Sequence, residues 1–202
     1  MESKTKDFVQ LDVSTSIWSR FFTIAPLVII GTKEEKGYDM APKHLAMPMG
    51  FNNYFGFVCT PRHSTYHNVL EHKEFSVSFP LSNQVVLASI SASPRNKYIS
   101  KSEQIIHVLP TIKANTIDAL LVKDSYVYLE CKLFKIIDGF DDNSMIAGKI
   151  CAAAVHPDYI KVSEKDEQEQ LSKHPLLAYL ADGRFATISE TFNFPFPKNF
   201  TR

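Results

Sequence analysis

The chain has 202 residues, 45% hydrophobic and 12% aromatic, enough to fill a core to which 15 phenylalanines contribute heavily. Lysine plus arginine balances aspartate plus glutamate at 22 each, which excludes the basic excess of nucleic-acid and anionic-membrane proteins but not a local anion site. Cys59, Cys131 and Cys151 are widely spaced with no CxxC pair, against a disulfide framework or a structural zinc site.

The N-terminus, MESKTKDFVQ, is polar and charged, so no secretory signal is expected. FFTIAPLVII is too short to span a bilayer. These features predict a soluble, cytoplasmic protein with neither a membrane nor a nucleic acid as partner.

PLVIIG at 26–31 reads as a buried strand, followed by the charged loop TKEEKGYD with Gly37 as a turn residue. MAPKHLAMPMG carries two prolines and is too broken for a long helix. NNYFGFVCT at 52–60 is the next strand. From Ser64 to Glu71 the pattern turns helical, with Val69 and Leu70 facing inward and Ser64 as the N-cap. EFSVSFP alternates Phe75, Val77 and Phe79 with polar residues, the signature of a half-buried strand.

SNQVVLASIS suggests a short helix capped by Ser82 or Asn83, and SPRNKYISKSEQ a polar loop with one helical turn. A long alternating strand at 124–140 is answered by NSMIAGKICAAAV across the turn signal DGFDDN, a hairpin with a six-residue connection. A charged helix at 163–174 has capping-box spacing between Ser163 and Asp166. GRFATISETFNFPFP gives a last strand and a proline-bounded tail. Many strands with few long helices predict a mainly β fold, an antiparallel barrel or sandwich with added helices, rather than a parallel α/β sheet.

The stretch PRHSTYHNVLEH carries the chemistry and supports three readings. A helix starting directly after a strand presents unpaired N–H groups and its positive dipole end to an anion. Arg62 adds a bidentate cation and Ser64 and Thr65 two hydroxyls, a set suited to a phosphate monoester. Alternatively, Ser64 only caps the helix and Arg62 is a solvated surface residue. A metal site on His63 and His67 requires His63 to be helical, and no carboxylate or cysteine completes a recognisable ligand set. The chain has no GxSxG elbow, P-loop or GxGxxG turn.

The succession PLVIIGT, DMAPKHL, FGFVCT, RHSTYHNVLEHKEFSVSFP, YLECKLFKI, MIAGKI and HPLLAYLADGRFATI resembles the flavin reductase-like family over residues of about 24 to 197. The resemblance implies an FMN-binding antiparallel split β-barrel, one domain over 1–202 with an N-terminal extension at 1–15 and a helical segment at 163–180. It also implies a homodimer with FMN near the subunit interface. Carried over residue by residue, Arg62, His63, Ser64 and Thr65 would hold the phosphate. Met40, Ala41, Pro42, Lys43 and His44 would form a loop beside the isoalloxazine. Cys59 and Thr60 would contact the flavin or its ribityl chain, and Tyr179 and Arg184 would close over it. No side chain need act as a nucleophile.

The family reading gives an FMN-dependent oxidoreductase taking electrons from NADH or NADPH, or alternatively a non-catalytic FMN carrier. This chain departs from the pattern in having Ala181-Asp182 in place of a Gly-Gly pair. It also has DDNSM where some members carry a Gly-Asp-His sequence implicated in nicotinamide handling.

Overall fold

The structure, a computed structural model, describes residues 8–94, 104, 108–162, 166–180 and 183–200. Most of the SPRNKYISKSEQ segment and Ser163, for which a helical turn and a cap were expected, lie outside the described residues. Strands β1 (Ile24–Pro26), β2 (Val28–Glu34), β3 (Gly37–Lys43), β4 (Ala46–Pro48) and β5 (Tyr54–Cys59) lead into helix α1 (Ser64–His72). Strand β6 (Glu74–Phe79), helix α2 (Val85–Ser91) and the short strands β7 (Thr111–Lys113) and β8 (Leu120–Val122) follow. The long strands β9 (Val127–Phe140) and β10 (Asn143–Val155), helix α3 (Glu167–Lys173), and strands β11 (Leu176–Leu180) and β12 (Arg184–Ile188) complete the order.

The main sheet is antiparallel and seven-stranded, in the order β3-β2-β6-β9-β10-β5-β4. It curls into a half-barrel, giving the mainly β split-barrel class expected from the sequence. Strands β1, β11 and β12 form a separate three-stranded sheet, and β7 and β8 a two-stranded one.

Burial on both faces explains the unbroken apolar run of β2. Val28 and Ile30 join Phe55, Phe57, Phe75, Val77 and Ile146 in one core cluster. Ile29 points the other way, into a cluster with Met40, Ala88, Leu109, Leu120 and Val122. Strand β6 is buried on both faces too, not half-buried as its alternation suggests. The β7–β8 hairpin covers its polar face: Ser76 Oγ donates to the Leu120 carbonyl, and Ser78 Oγ accepts from the Val122 N–H at 2.9 Å. Gly31 permits this closeness, since a Cβ there would lie 2.2 Å from the Leu120 carbonyl oxygen and 2.4 Å from Ser76 Oγ.

Several local expectations are corrected. Met40–Lys43 belong to strand β3, paired with Val28–Gly31, rather than to a loop. Pro42 in β3 and Pro48 in β4 are tolerated because these are the two edge strands of the main sheet. Ser64 is already helical, and the N-cap is His63, in extended conformation and without a side-chain cap bond. Neither Ser82 nor Asn83 caps α2; they form a 3₁₀ turn with Gln84, whose side chain accepts from the Leu81 N–H at 2.9 Å.

The β9–β10 connection is two residues, Asp141 and Asp142, because pairing extends to Asn143 opposite Phe140. Asp141 adopts φ 50°, the left-handed conformation such a tight turn needs. Helix α3 is capped by Asp166, whose carboxylate accepts from the Glu169 N–H at 2.8 Å. Residues 176–180 of the expected helical segment instead form β11, which pairs with β1 on one side and β12 on the other.

Candidate functional site

Two cavities meet beside the exposed edge of β3. The smaller, about 310 Å³, is lined by Asp39, Ala41, Pro42 and Lys43, by Arg62, His63, Ser64 and Thr65, and by Ala92, Ser93 and Pro94. Strand β5 ends at Cys59, and the next residues turn directly into α1: the His63 N–H donates to the Thr60 carbonyl at 3.0 Å. The first turn of α1 itself holds no acidic residue, and its N–H groups and positive dipole end border the cavity, with the Asp39 carboxylate beside them in the same lining.

Arg62 and Lys43 are the cations of this cavity. The Arg62 guanidinium donates to Asp142 at 2.8 Å, and both side chains are largely exposed. The β9–β10 turn thus props the arginine at the rim. Thr65 is buried, and its hydroxyl donates to Oδ2 of buried Asp39 at 3.1 Å. Of the two hydroxyl donors expected from the sequence, Thr65 is therefore turned into the wall. Ser64, the helix N–H groups, Lys43 and Arg62 form a donor set that fits a phosphate.

The larger cavity, about 540 Å³, shares Pro42 and Ala92 with the first. Leu27, Val85, Val86, Ala88 and Phe185 supply apolar walls, and His44, Ser89, Tyr179, Gly183 and Arg184 complete it. His44 and Tyr179 stack with ring centroids 4.5 Å apart and planes 27° from parallel. The Tyr179 hydroxyl accepts from the Gly183 N–H at 2.9 Å, which ties the aromatic wall to the start of β12. Burial, reinforced by the charge of Lys43, holds the His44 imidazole below its ordinary range, so it is neutral at neutral pH.

Ala41, Pro42, Lys43, Arg62, His63, Ser64 and Thr65 thus share one cavity, and Pro42, His44, Tyr179 and Arg184 the other. Met40, Cys59 and Thr60 are not brought onto either wall. Met40 packs into the core beneath β3. Cys59 is buried in the opposite cluster, and burial pushes its thiol above the ordinary range against the nearby charge of Lys43. Thr60 acts within the turn, where its hydroxyl accepts from the Arg62 N–H at 3.4 Å. Because His63 precedes the first helical residue, the i,i+4 arrangement with His67 does not arise. Among the described residues no group of three possible metal ligands forms.

Sequence reasoning missed Asp39, the contribution of α2 and the residues after it, and Phe185. Asp39 opens the stretch DMAPKHL and could have been found there. The facing of α2 depends on tertiary packing and carried no local signal.

The flavin reductase like domain family matches residues 20–188. The chain belongs to that family. Membership supports a flavin-associated oxidoreductase. Among solved structures, the 2-nitrobenzoate 2-nitroreductase of Pseudomonas fluorescens is similar at TM-score 0.71 and 20% identity, over 88% of this chain and 87% of that one. Flavoredoxin from Methanosarcina acetivorans is similar at TM-score 0.73 and 18% identity, over 95% and 96%. An FMN-binding protein from Thermus thermophilus with bound 1-cyclohex-2-enone is similar at TM-score 0.72 and 17% identity, over 96% and 99%. These likenesses show the fold. No curated protein matches the sequence significantly. Among the described residues no helix is long and apolar enough to cross a membrane.

Proposed function

We propose that the chain binds FMN across the two joined cavities and works as an FMN-dependent oxidoreductase, taking electrons from NADH or NADPH and passing them to flavin or another acceptor. The observation that carries this reading is the polarity of the joined cavities. One end gathers Lys43, Arg62, Ser64 and the start of α1, and the other is walled by aliphatic and aromatic side chains. A molecule with a phosphate at one end and a flat, largely apolar ring system at the other matches that division. Two similar structures, an FMN-binding protein and a flavoredoxin, support the choice.

FMN supplies hydride and electron transfer when bound; the protein binds, orients and shields it. Lys43, Arg62, Ser64 and the α1 N–H groups hold the phosphate. Pro42 and Ala92 form the bridge between the cavities, and Ala41 lines the phosphate end. His44, Tyr179 and Arg184 border the space for the ring and for what reacts with it. Met40 and Cys59 serve by packing the two sides of the strands that carry these groups.

The carrier reading is favoured by the β9–β10 turn, where Asp142 is engaged with Arg62 and no histidine is present. A homodimer is supported by exposed Phe134, Ile137 and Phe140 on β9, an apolar row that a second copy would cover. Absorbance spectra with FMN, and then with NADH or NADPH under anaerobic conditions, test the assignment. Flavin bleaching by a nicotinamide supports the enzyme, and persistent yellow the carrier. No spectral change on adding FMN refutes both. A mass measurement in solution decides the dimer.

A further inference from the structure

The larger cavity has a charge that phosphate binding does not use. Arg184, the first residue of β12, lines it and forms no ion pair with any described residue. Among the described residues no acidic side chain lines the cavity, and His44, the other titratable base there, is held below its ordinary range by burial. Lys43 and Arg62 line the neighbouring cavity. Among the described residues the larger space therefore offers one permanent positive charge beside largely aliphatic and aromatic walls.

Arg184 is placed by the same turn that fixes the aromatic wall. The Gly183 N–H holds the Tyr179 hydroxyl at 2.9 Å, and Tyr179 stacks on His44 at 4.5 Å. Phe185 adds a second aromatic side chain to the lining. A flat ring is favoured against aromatic and aliphatic walls. A guanidinium takes a carboxylate through two parallel hydrogen bonds. An organic cation would meet Arg184 with like charge, and a neutral ring would gain nothing from this exposed guanidinium.

We infer that the larger cavity is a binding site for a small aromatic carboxylate, its ring against the His44–Tyr179 wall and its carboxylate on Arg184. This deepens the flavin reading, on which it rests for its consequence: the bound ring would share the cavity with the flavin ring and so be the substrate class brought to it.

The test uses the full chain, both FMN-loaded and flavin-free, with benzoate and its neutral counterpart benzamide as probes in equilibrium dialysis. Benzoate is expected to bind at least tenfold more tightly than benzamide. Arg184→Gln should bring the two within about threefold of each other, and Arg184→Lys should retain part of the preference. Tyr179→Leu should weaken both probes alike. Circular dichroism establishes that each variant is folded.

Equal binding of benzoate and benzamide, absence of benzoate binding, or a preference that survives Arg184→Gln overturns the inference. Nicotinamide binding more tightly than benzoate also overturns it, in favour of a nicotinamide pocket. FMN titration is read separately, so failure to bind FMN refutes the flavin reading while the flavin-free dialysis still decides this one.

Discussion

The two joined cavities are made of different materials. The smaller joins the N–H groups at the start of α1 to residues of the turn before it, of edge strand β3 and of the segment after α2, with Asp39, Lys43 and Arg62 as its charges among the described residues. The larger is built from side chains drawn from β2's approach, α2 and the β11–β12 hairpin of the small sheet. Backbone donors are positioned by secondary structure and tolerate changes in sequence, whereas a side-chain wall changes its chemistry with each substitution. The first cavity therefore suits a constant group such as a phosphate, and the second suits whatever a particular family member must recognise.

The strongest way to break this comparison is to strip the smaller cavity of its side-chain donors. Arg62→Ala combined with Ser64→Ala removes two hydrogen bonds to a charged group, each contributing roughly 1.5–3 kcal/mol. FMN affinity should fall by at least about a hundredfold, with little change in melting temperature, because Arg62 is exposed. Calorimetric titration with FMN and with riboflavin checks it. Riboflavin, lacking the phosphate, should be nearly indifferent to the pair. Unchanged FMN affinity would show that the phosphate is held elsewhere and that this turn only starts a helix.

A second test concerns what stands behind the wall. The β7–β8 hairpin packs on the cluster under β3, and its loop is fastened by Glu130. This buried carboxylate accepts from the Asn115 N–H at 2.9 Å and from the Thr116 N–H and hydroxyl at 2.6 Å each. Burial alone would raise the Glu130 carboxyl, but these hydrogen bonds outweigh it and hold the group below its ordinary range. A depressed carboxylate stabilises the fold above the unfolded-state value, and that contribution is lost as pH falls through the folded one. Glu130→Gln turns an acceptor into a donor facing donors and should destabilise by about 1–3 kcal/mol at neutral pH. Urea unfolding at neutral pH and near about pH 3 should show the gap from the parent narrowing in acid. A gap that persists would mean Glu130 acts through packing rather than charge.

The larger cavity should respond differently. Tyr179→Leu removes the stack on His44, a contact of roughly 0.5–1.5 kcal/mol. FMN affinity should fall only about three- to tenfold, accompanied by a changed visible flavin spectrum. A loss as large as that of the Arg62 and Ser64 pair would erase the distinction between a phosphate end and a ring end.

How much of this was legible in the sequence depended on whether the signal was local. Strand β2, the start of α1 and the β9–β10 hairpin announced themselves through β-branched runs, the break after FGFVCT and long alternation. What failed was whatever a partner element decides. LLAYL became a strand because β1 and β12 flank it; β12 follows it closely, but nothing local predicts the pairing with β1 near the other end of the chain. Two prolines in MAPKHLAMPMG signal breaks, yet each lies in an edge strand that accommodates it. Arg62 and Ser64 are expected together from type and position and share a cavity, whereas Lys43, expected beside the isoalloxazine, lines that same cavity. The engagement of Thr65 with Asp39 could not be foreseen, since it joins residues 26 apart in sequence.

The smallest expected effect sharpens the comparison most finely. Asp142 holds Arg62 at 2.8 Å across an exposed rim, where an ion pair adds little to stability. Its effect on an anion could have either sign. Removing Asp142 frees the guanidinium and deletes a repelling negative charge, but it also lets a long side chain wander. If the cavity is backbone-built, pre-positioning of one rim arginine matters little and charge dominates. Asp142→Ala should then tighten FMN slightly, by no more than about threefold, and the gain should fade as salt screens it. Riboflavin affinity should not move. Weaker FMN binding in the variant at every ionic strength would show that the β9–β10 turn orients Arg62 for the phosphate, and that the smaller cavity depends on side-chain placement after all.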